Sequence, residues 1–166
     1  MALAHNGNLT NAADLREELE LGGAIFHSTS DTEVIAYTIT RERIASASIE
    51  EAVERAMPRL RGAYSLVIMS PQKLIAVRDP NGFRPLCMGK LGDAWVFSSE
   101  SCALDTLGAA FVREVEPGEI VVGGKDGIRS IRTHCGKAKS SFCVFEFIYF
   151  ARPDSVIEGS SVHQAR

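Results

Sequence analysis

Ala63-Tyr64-Ser65-Leu66-Val67-Ile68-Met69, then Ser70-Pro71-Gln72-Lys73, then Leu74-Ile75-Ala76-Val77 is the stretch that decides the fold. Both flanks are too short for helices and rich in β-branched and aromatic residues. The polar, proline-bearing link between them fits a hairpin loop of four residues. Downstream, Trp95-Val96-Phe97, 111–115, 119–122 and 128–131 read as further short strands, and Gly123-Gly124-Lys125-Asp126-Gly127 as the turn between the last two. Residues 99–107 read as a short helix, 78–85 as a turn-rich loop, and 142–150 as a strongly apolar, aromatic tail.

Upstream the pattern is helical. Asn11 is placed to cap a helix through Leu15 and Leu19 that stops at Gly22-Gly23. Ser30 and Glu33 have capping-box spacing ahead of Val34, Ile35 and Ile39. Ser48 and Glu51 repeat it ahead of the stripe Ile49, Ala52, Val53, Ala56 and Met57, which ends at Pro58. Helices first and hairpins after predict an α+β layered domain with mostly antiparallel strands.

Composition narrows the function. The 166 residues are 45% hydrophobic and 23% charged, with 18 basic and 21 acidic side chains and a net charge of -3. That balance predicts a globular domain with a real core and gives no general attraction to nucleic acid or to a membrane surface. No apolar run of about 18 residues exists to span a bilayer, and MALAHNGNL has neither the basic segment nor the apolar stretch of a secretory signal. Cys87, Cys102, Cys135 and Cys143 form no CxxC pair. They read as reduced thiols of a cytoplasmic protein, with Cys87 and Cys102 as core fillers. His5, His27, His134 and His163 lack metal-ligand spacing and read as loop or surface residues. Phosphate loops of the GxxxxGK[ST] and GxGxxG types, HExxH and GxSxG are absent.

Two segments could carry chemistry. In His5-Asn6-Gly7-Asn8 a side-chain amide precedes an unhindered backbone N–H, the two converging donors that an oxyanion hole needs. On spacing alone a type I′ hairpin turn explains the segment better. In Ser30-Asp31-Thr32-Glu33 the helix start favours a negative charge on Asp31, which could pair with a substrate ammonium. On composition alone simple helix capping explains the segment better.

Taken in order, AHNGNLTNAADLREEL, HSTSDTEV, RGAYSLVIM, RDPNGFRPL, SSESCALDTLGA, VEPGEIVV and FEFIYFARPDSVIEGSSVHQAR resemble the class II, amino-terminal-nucleophile (Ntn) glutaminases. The likeness covers nearly the whole chain and is most specific, through RDPNGFRPL and YFARPDS, to the phosphoribosylpyrophosphate amidotransferase family. It implies an Ntn-type four-layer αββα sandwich of two antiparallel sheets, its amino-terminal strands missing. It also implies a partial glutaminase domain over 1–141 and the start of a connection to a phosphoribosyltransferase domain over 142–166. Asn6 and Gly7 map onto the oxyanion hole, and Asp31 onto the carboxylate that takes the glutamine α-amino group. Cys143 maps onto a ligand of the [4Fe–4S] cluster that some members carry, with the other ligands outside this chain; Mg2+ would serve the parent enzyme. The family's nucleophile is an amino-terminal cysteine, and here residue 1 is Met. The expectation is therefore a fragment of a purine-biosynthetic enzyme, inactive by itself and prone to self-association. The alternatives are a non-catalytic glutamine-binding or scaffold subunit and an asparagine synthetase-like amidotransferase.

Overall fold

The computed structural model describes all residues, 1–166. Two antiparallel sheets stack face to face. The first has five strands in the order β1 (Ala2–Leu9), β2 (Gly62–Met69), β3 (Leu74–Arg78), β7 (Ile120–Gly124) and β8 (Gly127–Ile131). The second is β5 (Ala94–Ser98), β4 (Cys87–Leu91) and β6 (Ala110–Glu114). Helices α1 (Ala12–Leu21), α2 (Asp31–Ile44) and α3 (Ile49–Ala56) cover the first sheet, and α4 (Ser101–Leu107) covers the second.

Strand periodicity makes the layers. Successive side chains point to opposite faces. On β3, Ile75 and Val77 pack with the helices, while Ala76 packs toward the second sheet. On β7, Ile120 and Val122 face the helices and Val121 the sheet. On β4, Met88 meets the first sheet and Cys87 lies under Leu104 of α4. Burial on both faces explains why these strands read as continuous apolar runs. It also pushes the Cys87 thiol up to about 12, first by desolvation and then by the Glu114 charge, which makes Cys87 an inert filler. No helix is long and apolar enough to cross a membrane.

The hairpin forms as expected, with Met69 opposite Leu74. Ser30 and Ser48 cap α2 and α3 by accepting from the N–H of Thr32 and of Glu51. Their Glu partners reach further back than a capping box requires. Glu33 takes the N–H groups of His27 and Ser28, and Glu51 that of Ala47. Three expectations need correction. Asn11 precedes α1 but makes no side-chain cap; its amide instead bridges Arg59 O and Arg61 N, tying the helix to the entry of β2. His5 and His134 are buried, not surface residues. Residues 2–9 and 87–91, given no strand from sequence, are β1 and β4.

Beyond 141 the chain turns through a π-helical turn at 146–150, a short β9–β10 pair (Val156–Ile157 and Ser160–Ser161) and α5 (Val162–Ala165). Ala151, Ile157 and Val162 form a small separate cluster. The tail is fastened by Glu100, whose Oε2 accepts from Arg152 N and Ser155 Oγ, each at 2.8 Å, and by Ser101 Oγ, which accepts from Val156 N.

Where β3 ends, Arg78 is buried. Its guanidinium donates to the carbonyls of Gly82, Arg84 and Val115 and pairs with Glu114 and with Glu158 of the tail. Removing one member of a buried charged set leaves the others uncompensated. Arg78→Met is expected to lower the unfolding free energy by about 3–5 kcal/mol, read as a lower urea midpoint. A loss under about 1 kcal/mol would show that apolar packing replaces the guanidinium.

Candidate active site

The candidate site is built on β1, which pairs with β2 on one side and is open on the other. Gly7 has φ +148°. A Cβ there would lie 2.1 Å from Ala63 O, so only glycine fits the register. Thr10 N bonds Arg61 O across the pair, whereas Leu9 N turns away and donates to Asp31 Oδ2 at 2.9 Å. Antiparallel alternation then points the Gly7 N–H, two residues back, to the same open edge.

Alternation also separates the side chains. His5 and Leu9 face the helices, and Asn6 faces the second sheet. Its amide is held at both ends: Oδ1 accepts from Arg84 Nε at 3.2 Å and Nη2 at 3.0 Å, and Nδ2 donates to Ser99 Oγ at 3.0 Å. Because the guanidinium can only donate, the amide orientation is forced, and one Nδ2 hydrogen is left over.

Asn6 and Gly7 line a cavity of about 410 Å³ with Asn8, Ala63, Phe83, Arg84, Cys143 and Phe150. The structure thus brings Asn6, Gly7 and Cys143 to one cavity. Asp31 lies outside its wall. As the first residue of α2, Asp31 reaches the open edge of β1, with Oδ1 3.3 Å from His5 Nδ1. Outward N–H groups on a strand repeat about every 7 Å, which sets the scale of a ligand touching both Gly7 N–H and Asp31.

Sequence reasoning missed three residues here. Arg84 orients Asn6 from 78 residues away. Ser99 holds the amide nitrogen. His5 packs beside Asp31 and Thr32, with Nδ1 3.2 Å from Thr32 Oγ1 and Nε2 buried without a partner. The only signal for Arg84 is its place in RDPNGFRPL, a charged residue in a loop between apolar strands.

A [4Fe–4S] centre takes four thiolates; Cys143 is one, no group of three or more His, Cys, Asp or Glu residues in the chain is arranged to hold a metal ion, and the other ligands would have to come from outside these residues. Cys143 is a free thiol at the cavity wall.

A family model described as a glutamine amidotransferase domain matches residues 1–106. The chain belongs to this family. It is 46% identical over its whole length to an amidophosphoribosyltransferase from Bacillus subtilis, covering 34% of that protein. To the enzyme of that name from Archaeoglobus fulgidus it is 45% identical, covering 36%. It therefore spans about a third of the length of the curated relatives it matches. The solved B. subtilis glutamine phosphoribosylpyrophosphate amidotransferase, complexed with ADP and GMP, superposes with a TM-score of 0.90 at 46% identity, over 98% of this chain and 35% of that one. A class-II domain protein from Silicibacter pomeroyi shares the fold at a TM-score of 0.55 and 18% identity, over 78% of this chain and 64% of that one. The Ntn-type αββα sandwich of this amidotransferase domain is the fold of the chain.

Glu146, from the π-helical turn, closes the back of the site. Its Oε1 is 2.9 Å from Arg84 Nη1, an ion pair without the angle of a hydrogen bond, so Oε1 has no donor. Burial raises the Glu146 carboxyl above the usual carboxylate range; Arg84 pulls it back and Glu100 adds to the rise. A carboxyl raised in the folded state holds its proton there after the unfolded chain has lost its own. The associated stability is full below the unfolded value and lost as pH rises through the folded one. Relative to Glu146→Gln, the wild-type chain should therefore lose stability as pH rises above 4.5, and the difference should level off once pH has passed the raised folded-state value. Parallel urea midpoints across that range would show that Glu146 does not titrate there.

Proposed function

We propose that these residues are the glutamine-handling part of an amidophosphoribosyltransferase. The observation that carries the reading is the Asn6 amide, locked by Arg84 and Ser99, beside a Gly7 N–H that β2 does not use. Two donors from adjacent residues at one cavity favour an oxygen whose charge grows during reaction.

In this reading a cysteine thiolate attacks the glutamine carboxamide, and the carbonyl oxygen becomes an oxyanion between Asn6 Nδ2 and the Gly7 N–H. The thiolate is the family's amino-terminal cysteine, with its free α-amine as base. Cys87, Cys102, Cys135 and Cys143 are internal and carry no free α-amine. Asp31 takes the glutamine α-amino group with the lone pairs left after Leu9 N and His5. The ammonia released passes to a phosphoribosyltransferase domain. There it displaces pyrophosphate from phosphoribosyl pyrophosphate to give 5-phosphoribosylamine. The setting is cytoplasmic, as reduced thiols and purine synthesis require.

The open edge of β1 and the exposed Phe145, Ile148 and Tyr149 support self-association or a covering partner. Light scattering should show species above monomer mass at high concentration; a clean monomer would end that part of the reading.

Glutamine should bind the 166-residue chain without turnover. By titration calorimetry Asp31→Asn should weaken binding about 10- to 100-fold, the worth of a charged hydrogen bond. Ammonia release should stay at background. Glutamine hydrolysis by the pure chain, or affinity indifferent to Asp31, would overturn the assignment.

A further inference from the structure

We infer that Arg84 is a positioning residue for the oxyanion donor Asn6, and that the π-helical turn at 146–150 sets that position through Glu146 and Phe150. The inference deepens the proposed function and rests on it for its meaning in catalysis; the contacts stand independently.

Arg84 is fixed at both ends. Its carbonyl accepts from Arg78 Nε at 2.9 Å and from Ser65 Oγ at 3.2 Å, so the backbone is anchored in the first sheet. Its guanidinium is divided between two neighbours. Nε and Nη2 fork onto the single atom Asn6 Oδ1. Nη1 faces the Glu146 carboxylate at 2.9 Å, and the guanidinium carbon lies 4.5 Å from the centre of the Phe150 ring.

The chemistry of the fork explains its role. An asparagine amide can turn about its last bond and exchange its oxygen and nitrogen ends. A hydrogen-bond donor for an oxyanion must not do so. A group with only donors, placed on one end, removes the wrong orientation, because the flipped amide would set two donors against each other. Lysine would keep the charge but lose the planar two-point grip.

Glu146 and Phe150 give the guanidinium its other boundary. Glu146 is buried, and Arg84 Nη1 is its only ion-pair partner. Phe150 belongs to the same turn, and its ring lines the same cavity as Asn6 and Gly7. A shift of residues 146–150 therefore moves the guanidinium, and with it the constraint on the amide. On the outer side of the turn, Ile148 and Tyr149 are 60% and 78% exposed.

The test is NMR of the Asn6 side-chain amide in the 15N-labelled chain, its signal pair assigned by its loss in Asn6→Asp. In Arg84→Lys the exchange of these two protons with solvent should rise about tenfold, the worth of one charge-assisted hydrogen bond. The pair should also move toward the position of a free asparagine, while the backbone amides of Leu9 and Ile35 keep theirs. Glu146→Gln should move the pair the same way by a smaller amount. If Arg84→Lys fails to fold, Glu146→Gln decides alone. An Asn6 pair unchanged in folded Arg84→Lys, or in Glu146→Gln where that variant decides, overturns the inference. Glutamine titration of the wild-type chain, followed at the Gly7 and Leu9 amides, separates the two claims. Silence there ends the functional reading, whereas an Asn6 pair that still answers to residue 84 keeps the positioning role.

Discussion

The structure depends on one sheet being buried on both faces. Strands β2, β3 and β7 send alternate side chains into a helix-covered core and into a sheet-covered core. This constraint fixes the strand register, because a slip of one residue would exchange the two sets. It also places the chemistry. β1 takes its register from β2, so Asn6 must look toward the second sheet and His5 toward the helices. A ligand that meets both Asn6 and Asp31 has to reach around the open edge of β1, where Gly7 has no side chain to block it.

The elements legible in the sequence are those whose own residues carry the energetic signal. The hairpin at 62–78 has two apolar flanks and a short polar loop, and α2 and α3 have serine caps and apolar stripes. Strands β1 and β4 lack such signals. Ala2–Leu9 contains Asn-Gly, which composition reads as a turn, and Cys87–Leu91 contains Gly89. Each becomes a strand through its neighbours. β1 has eight matched positions on β2, and β4 sits between β5 and β6. Gly89 is in the strand because Leu104 and the carbonyl of Ala110 come within 3 Å of where its side chain would be.

The site was legible in part for a similar reason. Asn6, Gly7 and Asp31 lie in short motifs whose chemistry can be read locally. What fixes Asn6 is not local, since Arg84, Ser99 and Glu146 come from a loop, a strand end and the tail. Asn11 shows the reverse error. Its position before a helix is that of a cap, yet the β2 entry competes for its amide and wins two hydrogen bonds. A local motif states what a side chain can do, and the partners that tertiary packing brings near decide which of these it does.

The loop from Arg78 to Arg84 shows how the fold tolerates charge in its interior. Asp79 is fully buried and its carboxyl is raised by desolvation, although the N–H groups of Tyr64, Asn81 and Phe83 pull it back. Arg78 then faces the half-buried Glu114 on β6 and the exposed Glu158 in the tail, and Arg84 faces the buried Glu146. Apolar replacements would fill the same space with less desolvation, so packing alone does not account for this set. Directionality does. Each guanidinium binds several partners at fixed angles, and together they join the end of β3, the second sheet and the tail in one geometry. Asn6 sits at the end of that chain of contacts. The charges that are costly to bury are the ones that hold its amide in a single orientation.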